Sequence, residues 1–508
     1  MPNKPEEKRN QMGLRTPEQF LTGLRDGREV YYQGERVSSV TEHAELGVAA
    51  RHASIDFHLA EQSQFRDLAV YSDGGEVHSA YYRIPKSAQD LSERSKLIEA
   101  GTTVGATLVL LIKEIGTDAI FALMRALSPT TEPDALKRVN AFYSACRDKD
   151  LALAVAQTDV KGDRSKRPSE QQDLDMYVRV VEKREDGIIV RGAKVHTSCT
   201  PYVDEVIVLP SRSMGEGDDA WSVAFAVPPD TQGLRMYTSD FLHGSDSFTR
   251  PISTTHKMVE TLTVFDNVFV PWDRVFFYDR PDLAGSVALK FVEYHRFTAV
   301  SYKLPLLDAM VGAAFAIAKA NGIERAAHVR EKLTWLAGYT ETIRALTELA
   351  AQRCQLDDQI AYPHVFTTNM AKWTFARDFH RAIETIQDLA GGLLVTGPCG
   401  ADWESAQIRP VLEKYFRGAW PSDQRLALLN LVADLTTRLY GGYQAVLAVH
   451  AEGSIEAEKL AMLRAYDSTR AVKYAMRLAG IEMPPGADRE KTERGPIQSS
   501  TNNQRSSK

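Results

Sequence analysis

The chain has 508 residues, 44% of them hydrophobic and 25% charged, the balance of an ordinary globular protein with two or three domains. A formal net charge of −6 argues against nucleic acid or an acidic membrane surface as the main partner. Cys146, Cys199, Cys354 and Cys399 form no CxxC pair, which argues against a disulfide scaffold and a structural zinc site, predicts no metal centre from cysteine and fits a reducing cytoplasm.

The opening MPNKPEEKRNQ is charged and has no apolar core, so no signal peptide is expected. Residues 1–155 read as an N-terminal helical domain. A helix is predicted over 16–25, behind the Thr16-Pro17 start signal and ending at Asp26-Gly27. A long apolar-periodic stretch follows at 92–127, weakened locally by Gly101, Gly105 and Gly116. Its longest apolar run, 106–112, is too short to span a membrane, so a soluble cytoplasmic protein is expected.

Over 156–280 the pattern changes to short alternating runs, such as 188–190 and 205–209, broken by Gly, Pro, Asp and Asn. This predicts a middle β-domain with polar loops. Basic residues cluster at 161–167 without interleaved aromatics, which suits a solvated loop or a phosphate contact rather than nucleic acid. Helical patterns return over 281–483, at 304–356, 367–394, 422–449 and 455–480, as in a bundle of long helices that other subunits complete. The stretch 484–508 is polar and aperiodic, and disorder is expected there. The predicted fold class is mainly α with a central β-domain.

No GxGxxG after a strand, GxxxxGK[ST] loop, HExxH helix or GxSxG elbow occurs. A cofactor site, if present, must be built from side chains and backbone of the β-domain.

Three segments then carry a resemblance. AQTDVKGDR at 156–164 resembles the flavin-contacting loop of the acyl-CoA dehydrogenase fold, with Val160 where a proline is usual and Arg164 directly after Gly162-Asp163. GIIVRGAKVHTSCTPYVDEVIVLP at 187–210 resembles the next strand pair of that fold, and TVFDNVFVPWDRVF at 263–276 its Phe-Asp-x-Val-x-Val-Pro signature. With LTGLRDGREVYYQGERV at 21–37, they resemble the 4-hydroxyphenylacetate 3-hydroxylase family more narrowly. That family contains two-component FAD-dependent monooxygenases and the flavin/iron–sulfur 4-hydroxybutyryl-CoA dehydratases.

The resemblance implies an N-terminal helical domain, a middle β-barrel-like domain and a C-terminal four-helix bundle, assembled as a homotetramer. It implies FAD, with Gln157 and Thr158 at the pyrimidine edge, Ser198 near N5, and Gln387, Gly391 and Gly392 closing over the adenosine-diphosphate part. Thr158-Asp159 also reads as a simple turn, and the two glycines as a helix C-cap. Arg164 would pair with a phosphate or with Asp163, and Arg296 with a phosphate or a neighbouring subunit. Asp266, Asn267 and Pro271 read as structural.

The two branches separate at the substrate side. The dehydratases hold a four-iron cluster with three cysteines and a histidine; here those positions read Leu110, Glu114, Tyr302 and His295, so no cluster is expected. The acid/base tyrosine of that branch falls on Ala299, while Glu260 matches one of its functional carboxylates. The phenol hydroxylases orient substrate with Arg, Tyr and His, which here read Ile115, Ala119 and Val155. The pocket is therefore apolar and 4-hydroxyphenylacetate itself is not the expected substrate.

The leading reading is a monooxygenase that uses O2 and FADH2 from a separate reductase, through a C4a-hydroperoxyflavin, on an aromatic or related small molecule. His295 is the candidate base, against a structural histidine bonding a helix carbonyl, and His196 is the second choice. Glu260 is a further catalytic candidate, against a solvated surface position. The alternatives are a redox-neutral acyl-CoA dehydratase or isomerase without the cluster, and a non-catalytic flavin-binding protein.

Overall fold

The computed structural model describes residues 13–127, 133–240 and 244–481; the expected disorder at 484–508 lies outside them. The predicted first helix spans Pro17–Gly23. Its capping box is complete: Gln19 N–H donates to Thr16 Oγ1 at 3.1 Å, and Thr16 N–H to Gln19 Oε1 at 2.8 Å.

The N-terminal region is not helical throughout. Glu29–Tyr32 alternates half-buried and buried residues and runs parallel to Leu234–Thr238 in a six-stranded sheet. The sheet continues through Glu260–Pro271 and Gly187–Ser198 to Arg179–Lys183, all antiparallel. A second, four-stranded sheet orders Val275–Phe277, Ala224–Val227, Glu205–Val208 and Leu153–Ala156, with the last pair parallel.

The periodic stretch at 92–127 is two helices, Ala88–Val104 and Glu114–Leu127. A side chain at Gly105 would lie 2.5 Å from the Leu108 carbonyl and 2.9 Å from the His52 ring, so the turn between the helices requires glycine there. Ala106, Thr107 and Leu111 in the connection adopt left-handed backbone. Every residue of Glu114–Leu127 is buried. A Cβ at Gly116 would come within 2.1 Å of Leu153 Cβ, so glycine lets this helix lie directly on the strand Leu153–Ala156.

Beyond the sheets, the 40-residue helix Pro281–Ala320 packs with Ala327–Gln352, Val365–Ala390 and Ser422–Thr436. It is long and apolar enough to cross a membrane, but 67% of its apolar window is buried in the protein, as in a core helix. The predicted run 422–449 breaks after Thr436 and resumes at Leu439–His450. The run 455–480 divides into Ile455–Ala465 and Thr469–Leu478, and the latter buries none of its residues.

Candidate flavin and acid–base site

The loop predicted to meet a cofactor begins where Leu153–Ala156 ends. Asp159 is buried there and pairs with Lys194 Nζ at 2.5 Å; Ser211 donates to its other oxygen. Lys194 Nζ also donates to the Gln157 and Leu209 carbonyls, each at 2.9 Å. All three ammonium protons are thereby used, and the turn is clamped from the neighbouring strand. Gln157 and Thr158 remain half-buried, and no side chain of the described residues bonds the Thr158 hydroxyl. Arg164 is exposed. Asp163 bonds Ser165 Oγ at 2.7 Å and faces Lys166 at 3.8 Å, so it does not hold Arg164.

The strand Gly187–Ser198 carries a bulge: Thr197 pairs with Thr261 and Lys194 with Thr263, leaving Val195 and His196 opposite Leu262. His196 takes a φ of +55° and is exposed, with burial, Lys161 and His450 lowering its pKa. Beyond the bulge, Thr197 points into a buried group of hydroxyls. Its Oγ1 lies 2.5 Å from Thr261 Oγ1 and 2.6 Å from Thr263 Oγ1, which are 2.8 Å apart, and Thr200 Oγ1 adds a contact at 2.6 Å.

Ser198 faces the opposite way and donates to Glu260, at 3.0 Å from each carboxylate oxygen. Tyr443, from Leu439–His450, donates to Glu260 Oε1 at 3.0 Å. Burial pushes the Glu260 carboxyl up to about 7 against the pull of these two hydroxyls. Glu260 is half-buried rather than solvated, with its carboxylate held under a helix of the C-terminal region.

His295 stacks on Phe291 at 5.1 Å. Its Nδ1 is buried, has no hydrogen-bond partner and lies 3.8 Å from Asp118 Oδ2. The helix-carbonyl alternative thus lacks its bond at Nδ1. Asp118 is itself held by Arg94 at 2.8 Å and by Thr298 Oγ1 at 2.8 Å. Two turns on from His295, Tyr302 donates to Glu452, which also meets Lys303 Nζ at 3.1 Å and Lys372 Nζ at 3.4 Å. These cations hold the Glu452 carboxyl down to about 2 despite burial.

Arg296 needs correction. It is buried, and its guanidinium donates to the Glu452 carbonyl at 2.9 Å and Asn369 Oδ1 at 2.6 Å. It braces the bundle rather than offering a free charge to a phosphate. Ile115, Ala119 and Val155 are all buried, on the helix and strand that meet at Gly116. Gln387 bonds the Thr436 carbonyl at 3.2 Å. Gly391, at φ +80°, and Gly392 are exposed, with open space where a Cβ would stand.

Tyr443, Glu452, Lys303 and Asp118 escaped sequence reasoning. The i, i+7 spacing of His295 and Tyr302 on one helix face was the available signal for part of this cluster.

Helices on either side of paired sheets, with polar loops at the ends of Leu153–Ala156 and Gly187–Ser198, define an acyl-CoA dehydrogenase-like fold, as in the solved relatives. Family models for the 4-hydroxyphenylacetate 3-hydroxylase N terminus and C terminus match residues 16–277 and 284–480, and the chain belongs to that family. It is 28% identical over 501 residues to 4-hydroxybutyryl-CoA dehydratase/vinylacetyl-CoA-Delta-isomerase of Clostridium aminobutyricum, covering 92% of this chain and 100% of the relative. It is 28% identical over 438 residues to the 4-hydroxyphenylacetate 3-monooxygenase oxygenase component of Thermus thermophilus, covering 85% and 90%. A solved oxygenase component of 4-hydroxyphenylacetate 3-monooxygenase, complexed with FAD and 4-hydroxyphenylacetate, has a TM-score of 0.84 at 25% identity, covering 92% of this chain and 99% of that one.

The residues present fit FAD better than an iron–sulfur cluster. Thr158 offers a hydroxyl beside a clamped turn, Ser198 one that bonds Glu260, and Gly391 and Gly392 leave open backbone. At the cluster positions, Tyr302 bonds Glu452, and Leu110 offers only a backbone carbonyl, which faces Cys199 Sγ at 3.8 Å. One imidazole and a single thiol, Cys199, which burial holds protonated, do not suit a four-iron cluster.

Proposed function

We propose that the chain is the oxygenase of a two-component flavin monooxygenase that takes FADH2 from a separate reductase and hydroxylates an aromatic or related small molecule. FAD, when bound in reduced form, supplies the activation of O2. The chain's own residues do the rest. Thr158 and Gln157 orient the ring system, and Ser198 presents a hydroxyl to it. Ile115, Ala119 and Val155 form an apolar wall that keeps water from the reacting atoms. Glu260 exchanges a proton near neutral pH, and His295, poised beside Asp118, is the second acid–base group.

The observation that carries this reading is the donor set at Leu110, Glu114 and Tyr302, which lacks the thiolates the dehydratase chemistry needs. The exposed apolar residues Leu460, Leu463, Tyr474 and Leu478, with the open space around Gly391 and Gly392, support a homotetramer that completes each site from a second copy. The cytoplasm suits its free cysteines.

One observation favours a second reading, a redox-neutral acyl-CoA dehydratase or isomerase: a buried carboxyl poised near neutrality suits proton abstraction from carbon. The two are separated by supplying FADH2 and isotopically heavy O2 with a panel of phenols and carrier-bound aromatics. Label in the product is expected. Turnover of a hydroxyacyl-CoA without O2 overturns the monooxygenase reading.

A further inference from the structure

Glu260 opens the strand Glu260–Pro271 and faces Ser198 across the register. Its carboxylate receives hydroxyls from two parts of the fold, Ser198 from the sheet and Tyr443 from Leu439–His450. No lysine or arginine among the described residues pairs with it. The other titratable groups around it are Cys199 and Tyr202 from the sheet loop and Tyr302 from the long helix, and burial pushes all three up. They stay neutral through the physiological range, so of these groups Glu260 is the one that changes charge; next out, burial brings Glu114, beside Cys199, up to about 7 and Lys303, bonded to Tyr302, down to about 8.

Without a cation, what opposes burial is hydroxyl donation alone. Tyr443 is suited to that task. Burial and the Glu260 charge push its phenol well above the ordinary value, so it stays protonated and donates. Its helix is fixed independently, since Tyr440 OH lies 2.8 Å from Thr107 Oγ1.

We infer that Tyr443 is a positioning residue that sets the protonation state of Glu260 from the C-terminal helices, through its hydrogen bond to the carboxylate. The inference deepens the acid–base reading of Glu260 and rests on it. The experiment therefore reads the carboxyl itself rather than turnover.

Full-length protein carrying 13C-labelled glutamate is titrated by infrared difference spectroscopy, and the Glu260→Gln variant identifies the band. The parent carboxyl is expected to titrate about pH 7. Tyr443→Phe raises the midpoint by about one pH unit, the size of one lost hydrogen bond to a charged group. Tyr440→Phe, which loosens the same helix without touching Glu260, leaves it unchanged. A 3-fluorotyrosine at 443 keeps ring and hydroxyl, donates more strongly and lowers the midpoint, which covers the case in which Tyr443→Phe does not fold.

A parent midpoint in the ordinary glutamate range overturns the acid–base reading and the inference together. A parent midpoint near neutrality that Tyr443→Phe leaves in place, or that Tyr440→Phe moves equally, overturns the role of Tyr443 alone.

Discussion

Glu260 ties stability to pH as well as chemistry. Its folded pKa of about 7 lies above the ordinary 4.5, so its contribution to stability is fully present below about pH 4.5 and lost as pH rises through 7. The span amounts to roughly 3 kcal/mol. Glu260→Gln removes the titration. Its thermal midpoint relative to the parent is expected to climb between about pH 4.5 and pH 7 and to level off above that; a pH-independent difference would refute the shift. Lys194 acts differently, because it has three acceptors to abandon. Lys194→Met strands the Asp159 carboxylate in a buried turn and is expected to cost about 3–5 kcal/mol in urea unfolding. Lysine here is a structural clamp on Thr158. If the variant unfolds within about 1 kcal/mol of the parent, the clamp is not what holds the loop.

At the level of elements, the contact between Glu114–Leu127 and Leu153–Ala156 fixes where Ile115 and Ala119 stand relative to Val155. Gly116→Ala gains up to about 1 kcal/mol in helix propensity. Against that, the new methyl meets Leu153 Cβ, which no rotamer can move. Overpacking of about 1–3 kcal/mol wins, and chemical denaturation should register a net loss; a more stable variant would mean the helix can shift away. The helix itself was readable only in part. Apolar periodicity runs unbroken through 108–112, yet one helix ends at Val104 and the next begins only at Glu114. Periodicity reports which face is buried, not where neighbours interrupt it. The polar loops after 156 and 195 were legible because β-alternation stops there and hydroxyls and amides replace it. Tyr443 was not, since it reaches Glu260 across 183 positions of sequence and nothing local marks it. Arg296 was misread for the same reason, its partners Asn369 and Glu452 being equally remote.

For the whole molecule, the exposed apolar rows of the last two helices carry the assembly prediction. Leu463 is 73% and Leu478 70% exposed in the single chain, far more than isolated surface leucines warrant together. Leu463→Asp combined with Leu478→Asp is expected to reduce the mass measured by light scattering from that of the proposed tetramer toward monomer, while far-ultraviolet circular dichroism stays unchanged. An unchanged mass would move the interface elsewhere. The long helix Pro281–Ala320 has a different consequence. At 1.5 Å per residue it extends about 60 Å. Along that length it is gripped first by early and then by late parts of the chain: Arg125 on Glu293 and Ser95 on Ser301, then Glu452 on Lys303 and Arg344 on Asp308. Neither the N-terminal nor the C-terminal region can melt without releasing its side of the shared rod. Heating should therefore give one calorimetric peak rather than a staircase, and the pair of domains that appear separate along the sequence should be lost in a single event.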